Sequence, residues 1–448
     1  MEYKTLKKSR CNQNISGIGH MVQKKRNFAG LSKAMRIGLT VIIIVFAIVG
    51  GGTNKTLADD AIWVKTWTAS PEPTWTGDFP LPTLLPFNLW NQTVRQKVRV
   101  SLGGDRLRIV LSNEYGKAPL TIESVHIALP GSEASAIETG TDTVVTFSGV
   151  ERLVIPAGAP AISDPIELSV PALGEVVVSF FVPGPMPIET FHWDALEIGH
   201  IGIGNQVSNG FIHQPTETTT RIFLTDILMQ APLNTKVVVA FGDSITDGAA
   251  SGLGTHSSWP DFLAENLVLN NVAVLNAGIS GARLLDTRMG ENAMARFSRD
   301  VLSVLNLKTV IILIGINDIA WPGHPFAPNA PFPTKEQLIA GYRQLIAAAH
   351  AHNVRIVAAT LTPYKDALKD TPLEGYYTQK GDDLRRQIND WIRLSGEFDA
   401  VVDLDKQMAS PDDPLAIRNA WQSDHLHFSP KGNKAAADLM TLEILFGK

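Results

Sequence analysis

Val237-Val-Val-Ala-Phe-Gly-Asp-Ser-Ile-Thr-Asp-Gly248 is an apolar run that stops abruptly at a small, polar, glycine-flanked serine. A short β-branched and aromatic stretch followed by Gly-Asp-Ser reads as a buried parallel strand. Open α/β sheets bind ligands at the C-terminal ends of such strands, so Ser244 is the candidate nucleophile. A serine in that place needs a base and an oxyanion hole, and both are sought downstream.

After Pro232 the pattern is strands alternating with helices. Strands are expected at Val237 to Phe241, Val272 to Asn276, Thr309 to Ile314, Val354 to Thr360 and Ala400 to Leu404. Helices are expected near Trp259 to Leu269, Asn292 to Leu305, Lys335 to Ala351 and Lys380 to Leu394, with a last one after Pro430. Nearly continuous apolar strands in this alternation argue a parallel sheet covered on both faces. Phe326 to Pro333, with three prolines, reads as a surface loop near the crevice.

From Ala61 to about Met229 the pattern is instead short alternating runs broken by Gly, Pro and Asn. They include Val94 to Leu102, Arg106 to Leu111, Leu120 to Ala128, Thr143 to Phe147, Pro165 to Val170 and Glu175 to Val182. Many short strands with turn signals between them argue an antiparallel sandwich or jelly-roll-like module. Trp63, Trp67, Trp75, Trp90 and Trp193 lie here, either as packing residues or on a sugar- or acyl-binding surface. The expected division is an export or anchor segment over 1–58, an accessory β-sandwich over 59–232 and an α/β catalytic domain over 233–448.

Residues 1 to 36 are basic, and Ile37 to Gly52 is one uncharged, mostly apolar run of about sixteen residues. Thr56-Leu57-Ala58 follows it, so the layout is that of a secretory signal, with Met35 as a second candidate start. The run is short for a membrane span, although an uncleaved anchor with the enzyme outside is the alternative. A protein cleaved before Asp59 would hold no cysteine, because Cys11 is the only one in the chain. Structural disulfides and a thiol nucleophile would then both be excluded. With 39 basic and 44 acidic side chains, and no basic block beyond the N-terminus, nucleic acid is not an expected partner. No membrane contact beyond the N-terminal segment is expected either.

Three short stretches give Ser244 company. Asn276-Ala-Gly-Ile-Ser-Gly281 begins at the end of the second expected strand, Gly315-Ile-Asn-Asp318 ends the third, and Asp424-His-Leu-His427 follows the fifth. A parallel sheet would bring all of them to one edge. At these positions the sequence resembles the SGNH hydrolases, or GDSL esterases, whose serine, glycine, asparagine and histidine match Ser244, Gly281, Asn317 and His427. The resemblance runs from about Lys236 to the C-terminus, and Trp63 to Pro71 looks like the start of the β-rich module found in one secreted subgroup. It implies a flavodoxin-like three-layer domain with strand order 2-1-3-4-5, hydrolysis of esters, and no metal or cofactor.

Chemistry fits these roles independently. His427 would take the Ser244 proton, with Asp424 orienting the ring and stabilising the imidazolium. The N–H groups of Ser244 and Gly281 and the amide of Asn317 would donate to the developing oxyanion. Each residue has another reading: Ser244 as a helix cap, Gly281 as a turn, Asn317 as an Asx turn, and His425 with His427 as metal ligands beside Asp424. Asp243 and Asp247 are expected to fix the nucleophile loop through hydrogen bonds, and Arg283 either binds substrate or packs. The G-x-S-x-G elbow of α/β-hydrolases is absent, since Thr246 stands where the second glycine would be. The expected protein is a secreted serine esterase acting on short acyl esters, acetyl on a polysaccharide foremost. Lipid or aryl esters, and a non-catalytic carbohydrate-binding protein on a hydrolase fold, are the alternatives.

Overall fold

The computed structural model describes residues 61–447 apart from residues 76 and 78. The expected export segment and Cys11 lie outside the described residues. No helix among the described residues is long and apolar enough to cross a membrane.

Ile166–Val170 buries every second residue, the period of two that marks a strand with one face on a core. The same grammar builds two antiparallel sheets from the first half of the chain. One joins β1 (Ala61–Thr68), β7 (Leu224–Pro232) and β3 (Gly104–Ser112), with Pro160–Ile162 and Ile166–Val170 pairing onto β3. The other runs Thr216–Thr218, β6 (Gly199–Ile203), β2 (Gln92–Arg99), β5 (Glu175–Val182), β4 (Ser124–Ala128) and Thr143–Val144. Side chains from both sheets, among them Val98, Ile109, Ile127, Val178, Phe180 and Ile227, form one buried cluster. One apolar run is not one strand. Leu120 to Ala128 divides at Glu123, and its halves, Leu120–Ile122 and β4, pair in different sheets.

Three residues after β7 the chain enters the parallel sheet. Its strands are β8 (Lys236–Gly242), β9 (Val272–Gly278), β10 (Leu307–Leu313), β11 (Arg355–Ala359) and β12 (Ala400–Val402). All pairs are parallel and the spatial order is β9-β8-β10-β11-β12, that is 2-1-3-4-5. β8 is buried along nearly its whole length, as a central strand covered on both faces must be. Gly242 pairs with both Gly278 and Leu313, so three strands end level and their loops open on one edge. That edge is the switch point, because β8 lies between β9 and β10.

Seven helices matter to that edge. α1 (Ser244–Asp247) follows β8, and α2 (Trp259–Leu267) starts at a Ser258–Asp261 capping box. The expected helix over Asn292 to Leu305 is α3 (Ala293–Phe297) followed by a π-turn over Ser298–Leu302, where Arg296 and Asp300 form a buried pair at 2.9 Å. α4 (Ile316–Ala320) carries Asn317, α5 (Lys335–Ala351) and α6 (Gln379–Leu394) cover the sheet, and α7 (Pro430–Ala437) follows His427. The two halves of the chain share apolar surface. Val64, Phe79 and Ala231 from the β-rich half belong to the same buried cluster as β8, β9 and Trp321. Polar ties add to it: Arg99 pairs with Glu265 at 3.0 Å, and the Val274 N–H donates to Ser101 Oγ at 3.1 Å.

Candidate active site

Ser244 is the first residue of α1, at the C-terminal end of β8, and is 8% exposed. Asp243 caps the helix by accepting from the Ile245 N–H at 3.1 Å, which fixes the turn that lifts Ser244 off the strand. Burial pushes the Asp243 carboxyl up to about 7. Below it, fully buried Arg296 donates to Gly242 O at 2.7 Å and Ala277 O at 2.8 Å while lying over the Phe241 ring. One guanidinium therefore clamps the ends of the two strands that carry Ser244 and the glycine loop.

His427 reaches Ser244 from the loop ahead of α7. Its Nε2 lies 2.9 Å from Ser244 Oγ, and its Nδ1 lies 2.7 Å from Asp424 Oδ2. A carboxylate only accepts, so Nδ1 carries the ring proton and Nε2 presents its lone pair to the hydroxyl. Asp424 Oδ1 also accepts the N–H groups of Leu426 and His427, at 3.1 and 2.8 Å. Burial alone would push this carboxyl up, but these hydrogen bonds and the His427 ring overcome it and hold it at about 2. His425 has φ 66°, the left-handed region that turns this loop, and its N–H donates to Gln422 Oε1 at 2.6 Å.

Gly278 and Gly281 are where backbone geometry demands glycine. A Cβ on Gly278 would stand 2.2 Å from the Asp247 nitrogen, and one on Gly281, at φ 78°, would stand 2.4 Å from Met289 Sδ. The loop they bracket therefore lies directly against α1. Asp247 Oδ2 holds it, accepting the Ser280 N–H at 2.9 Å and the Ser280 hydroxyl at 2.8 Å. Asp318 holds its far end by accepting from the N–H groups of Leu284 and Leu285 at 2.6 and 2.9 Å. Arg283 belongs to this framework: it is buried, lies 4.9 Å over the Trp321 ring and pairs with Asp286 at 2.9 Å.

Asn317 is buried in α4. Its Nδ2 donates to Ala282 O at 2.8 Å and its Oδ1 accepts from the Tyr376 hydroxyl. An amide nitrogen has two hydrogens, so with Oδ1 fixed by Tyr376 and one hydrogen spent on Ala282, the second has a set direction. Asn317→Ala is expected to lower kcat about a hundredfold to a thousandfold with KM nearly constant, the signature of a donor used when charge develops. Tyr376→Phe, which removes one hydrogen bond behind it, is expected to cost a few-fold to about tenfold. Steady-state kinetics on p-nitrophenyl acetate check both, and a rise in KM alone would make Asn317 a substrate-binding residue.

Thus Ser244, Asp424 and His427 meet in one hydrogen-bonded line, while Gly281 stands on the loop after β9 and Asn317 in α4, directly after β10. Arg296 and Tyr376 escape sequence reasoning, and the role of Asp318, seen only as the end of the Gly315–Asp318 stretch, does as well. Arg296 and Asp300 read as an ordinary exposed i,i+4 helix pair, and nothing in Gly375-Tyr-Tyr377 points to Asn317. The loop at Phe326 to Pro333 does lack regular structure, yet Phe326 itself is buried, stacked at 5.5 Å on Phe79 from the β-rich half.

Residues 240–435 match the GDSL-like Lipase/Acylhydrolase family. This part of the chain is a GDSL-like lipase/acylhydrolase domain, and the protein is a carboxylic ester hydrolase. Among solved structures the chain is similar to a lipase/acylhydrolase from Enterococcus faecalis, at 21% identity over 47% of this chain and 95% of that one, with a TM-score of 0.36. It is also similar to a GDSL-like lipase from Bacteroides thetaiotaomicron, at 18% identity over 47% and 88%, with a TM-score of 0.35. An acetyl xylan esterase gives 21% identity over 46% and 97%, with a TM-score of 0.32. No curated protein matches the chain.

Proposed function

We propose that the protein is a serine esterase that removes short acyl groups, acetyl foremost, from a hydroxyl-rich alcohol such as a polysaccharide, outside the cytoplasm. The observation that carries the serine mechanism is the unbroken line Asp424–His427–Ser244, at 2.7 and 2.9 Å. In acylation Ser244 Oγ bonds to the ester carbon as its proton passes to His427 Nε2, and the carbonyl electron pair moves onto oxygen. The N–H groups of Ser244 and Gly281 and the Asn317 amide hold that oxyanion. The C–O bond to the alcohol then breaks, and the leaving oxygen takes the proton from His427. Water repeats the sequence on the acyl-enzyme and releases the acid. Asp424 stays ionised throughout and stabilises the imidazolium.

Two features support a short acyl group and a polar alcohol. Behind Gly281 and Asn317 the space is filled: Met289, Trp321 and Tyr376 are all buried and packed in the core, which suits a two-carbon acyl group. Near His427 stands Asp194, whose carboxyl is pushed up to about 6 by burial and by Asp247, against the pull of His192 and His427. A carboxyl there can accept from sugar hydroxyls and does not suit a lipid tail. The basic N-terminus and the apolar run Ile37 to Gly52 support export. The test is a panel of p-nitrophenyl esters from acetate to laurate together with acetylated glycans. Highest kcat/KM on acetate and release of acetate from a glycan are expected; a preference for octanoate or longer would replace this reading with a lipase, and no turnover of any ester with a non-catalytic binding role.

A further inference from the structure

The oxyanion loop is held from outside the hydrolase domain. His192 closes the short strand Thr190–His192 of the β-rich half and is 6% exposed. Its Nδ1 lies 3.0 Å from the Ser70 carbonyl, and its Nε2 lies 3.0 Å from Asp247 Oδ1. A carbonyl and a carboxylate can only accept, so both ring nitrogens carry hydrogens and the ring is an imidazolium. Fully buried Glu72 stands 3.6 Å from Nδ1 and accepts the Trp193 N–H at 3.0 Å. Burial would push the ring down, but Asp247 and Glu72 raise it to about 9.

Asp247 is the hinge of this arrangement. One of its oxygens takes the His192 proton donor; the other takes both the N–H and the hydroxyl of Ser280, the residue before Gly281. Because Gly278 already touches the Asp247 backbone, the carboxylate has little freedom to turn without moving the loop.

We propose that His192 is a positioning residue for ester hydrolysis: acting through Asp247, it fixes Ser280 and so aims the Gly281 N–H, making the oxyanion hole a joint product of both halves of the chain. This rests on Gly281 being an oxyanion donor, as in the serine-esterase reading above. His192 touches no substrate and transfers no proton in the reaction. Its contribution is geometric, and a donor displaced by about 1 Å can cost about a hundredfold in rate.

Three variants of the full chain separate this role from a merely structural one. His192→Asn places its amide where Nδ1 was and loses the donor to Asp247, whereas His192→Gln can place an amide N–H near the former Nε2. Ser280→Ala removes one hydroxyl from the loop and leaves the β-rich half untouched. Active sites are titrated with a fluorophosphonate, and kcat per titrated site, KM for p-nitrophenyl acetate and the Ki of benzeneboronic acid are measured. His192→Asn is expected to lower kcat per site about tenfold to a hundredfold and to weaken the boronate in parallel, with KM within about twofold. His192→Gln is expected to recover most of that loss, and Ser280→Ala to lose about threefold to tenfold.

Unchanged kcat per titrated site in His192→Asn overturns the proposal, because loss of folded enzyme alone lowers only the titre. Equal losses in the Asn and Gln variants, or a change confined to KM, overturn it as well. Should neither His192 variant fold, Ser280→Ala decides: wild-type kcat and boronate affinity there overturn it. The underlying serine-esterase reading fails differently, by absence of fluorophosphonate labelling in the wild type.

Discussion

Ser244→Ala is expected to lower kcat on p-nitrophenyl acetate by about four to six orders of magnitude while leaving the fold intact. The size follows from the proposed role of the line Asp424–His427–Ser244 as a unit: without Oγ no acyl-enzyme could form, and His427 would have no positioned nucleophile to deprotonate. The residual rate, roughly a thousandfold over water, would come from the oxyanion donors acting on a bound ester. Stability should change little. Ser244 is a small side chain at the rim of the strand edge, its capping is supplied by Asp243, and the clamp from Arg296 reaches backbone oxygens that the substitution leaves alone. Stopped assays with active-site labelling and a thermal melt check both halves of this expectation. A variant that keeps more than about a tenth of wild-type kcat would remove Ser244 from the nucleophile role.

The second large effect is expected from removing the β-rich half. A chain starting at Leu233 should be insoluble, or melt about 10 °C or more below the full protein. Apolar surface is one reason: Val64, Phe79 and Ala231 are buried in the same cluster as the parallel sheet, and their removal uncovers it. Charge is the other. Asp247 would lose His192, and Arg299 would lose Glu114 at 2.7 Å and the Tyr115 hydroxyl at 2.6 Å. Breaking one buried pair by removing a partner costs about 3–5 kcal/mol, a large part of the 5–15 kcal/mol by which a domain is stable. For a domain of this size that corresponds to a drop of about 6–20 °C. Differential scanning calorimetry of the two chains checks it. A shortened protein that stays soluble and melts as the full one does would show the catalytic half to be independent, and would also weigh against a joint oxyanion hole.

Much of the parallel sheet was legible in advance because each of its strands is written locally. Val237 to Phe241 and Thr309 to Ile314 are continuous apolar runs, and only a strand covered on both faces requires that. The last two strands came out shorter than their apolar runs: β12 ends at Val402 because Asp403 turns its side chain onto the Lys406 N–H to start the next helix. In the β-rich half, alternation located strands but could not pair them. Leu120 to Ala128 reads as one run, yet its two halves serve two sheets, since pairing depends on partners distant in the chain.

The sequence alone determined the alternation of strands and helices, the sheet edge to which Ser244, Gly281, Asn317 and the Asp424–His427 loop are delivered, and the β-rich character of what precedes them. Each of these depends on residues that are neighbours in sequence: an apolar run ended by Gly-Asp-Ser, or an Asp and a His three apart on one loop. Only the tertiary structure decided what holds those groups in place. Arg296 beneath two strand ends, Tyr376 behind Asn317 and His192 behind the Ser280 loop lie 54, 59 and 88 positions from Gly242, Asn317 and Ser280. In the sequence their charges and hydroxyls look like groups that face water, until burial removes that water. A polar group deprived of water must find a partner, and which partner it finds depends on how distant segments pack together, information that no short stretch of sequence carries.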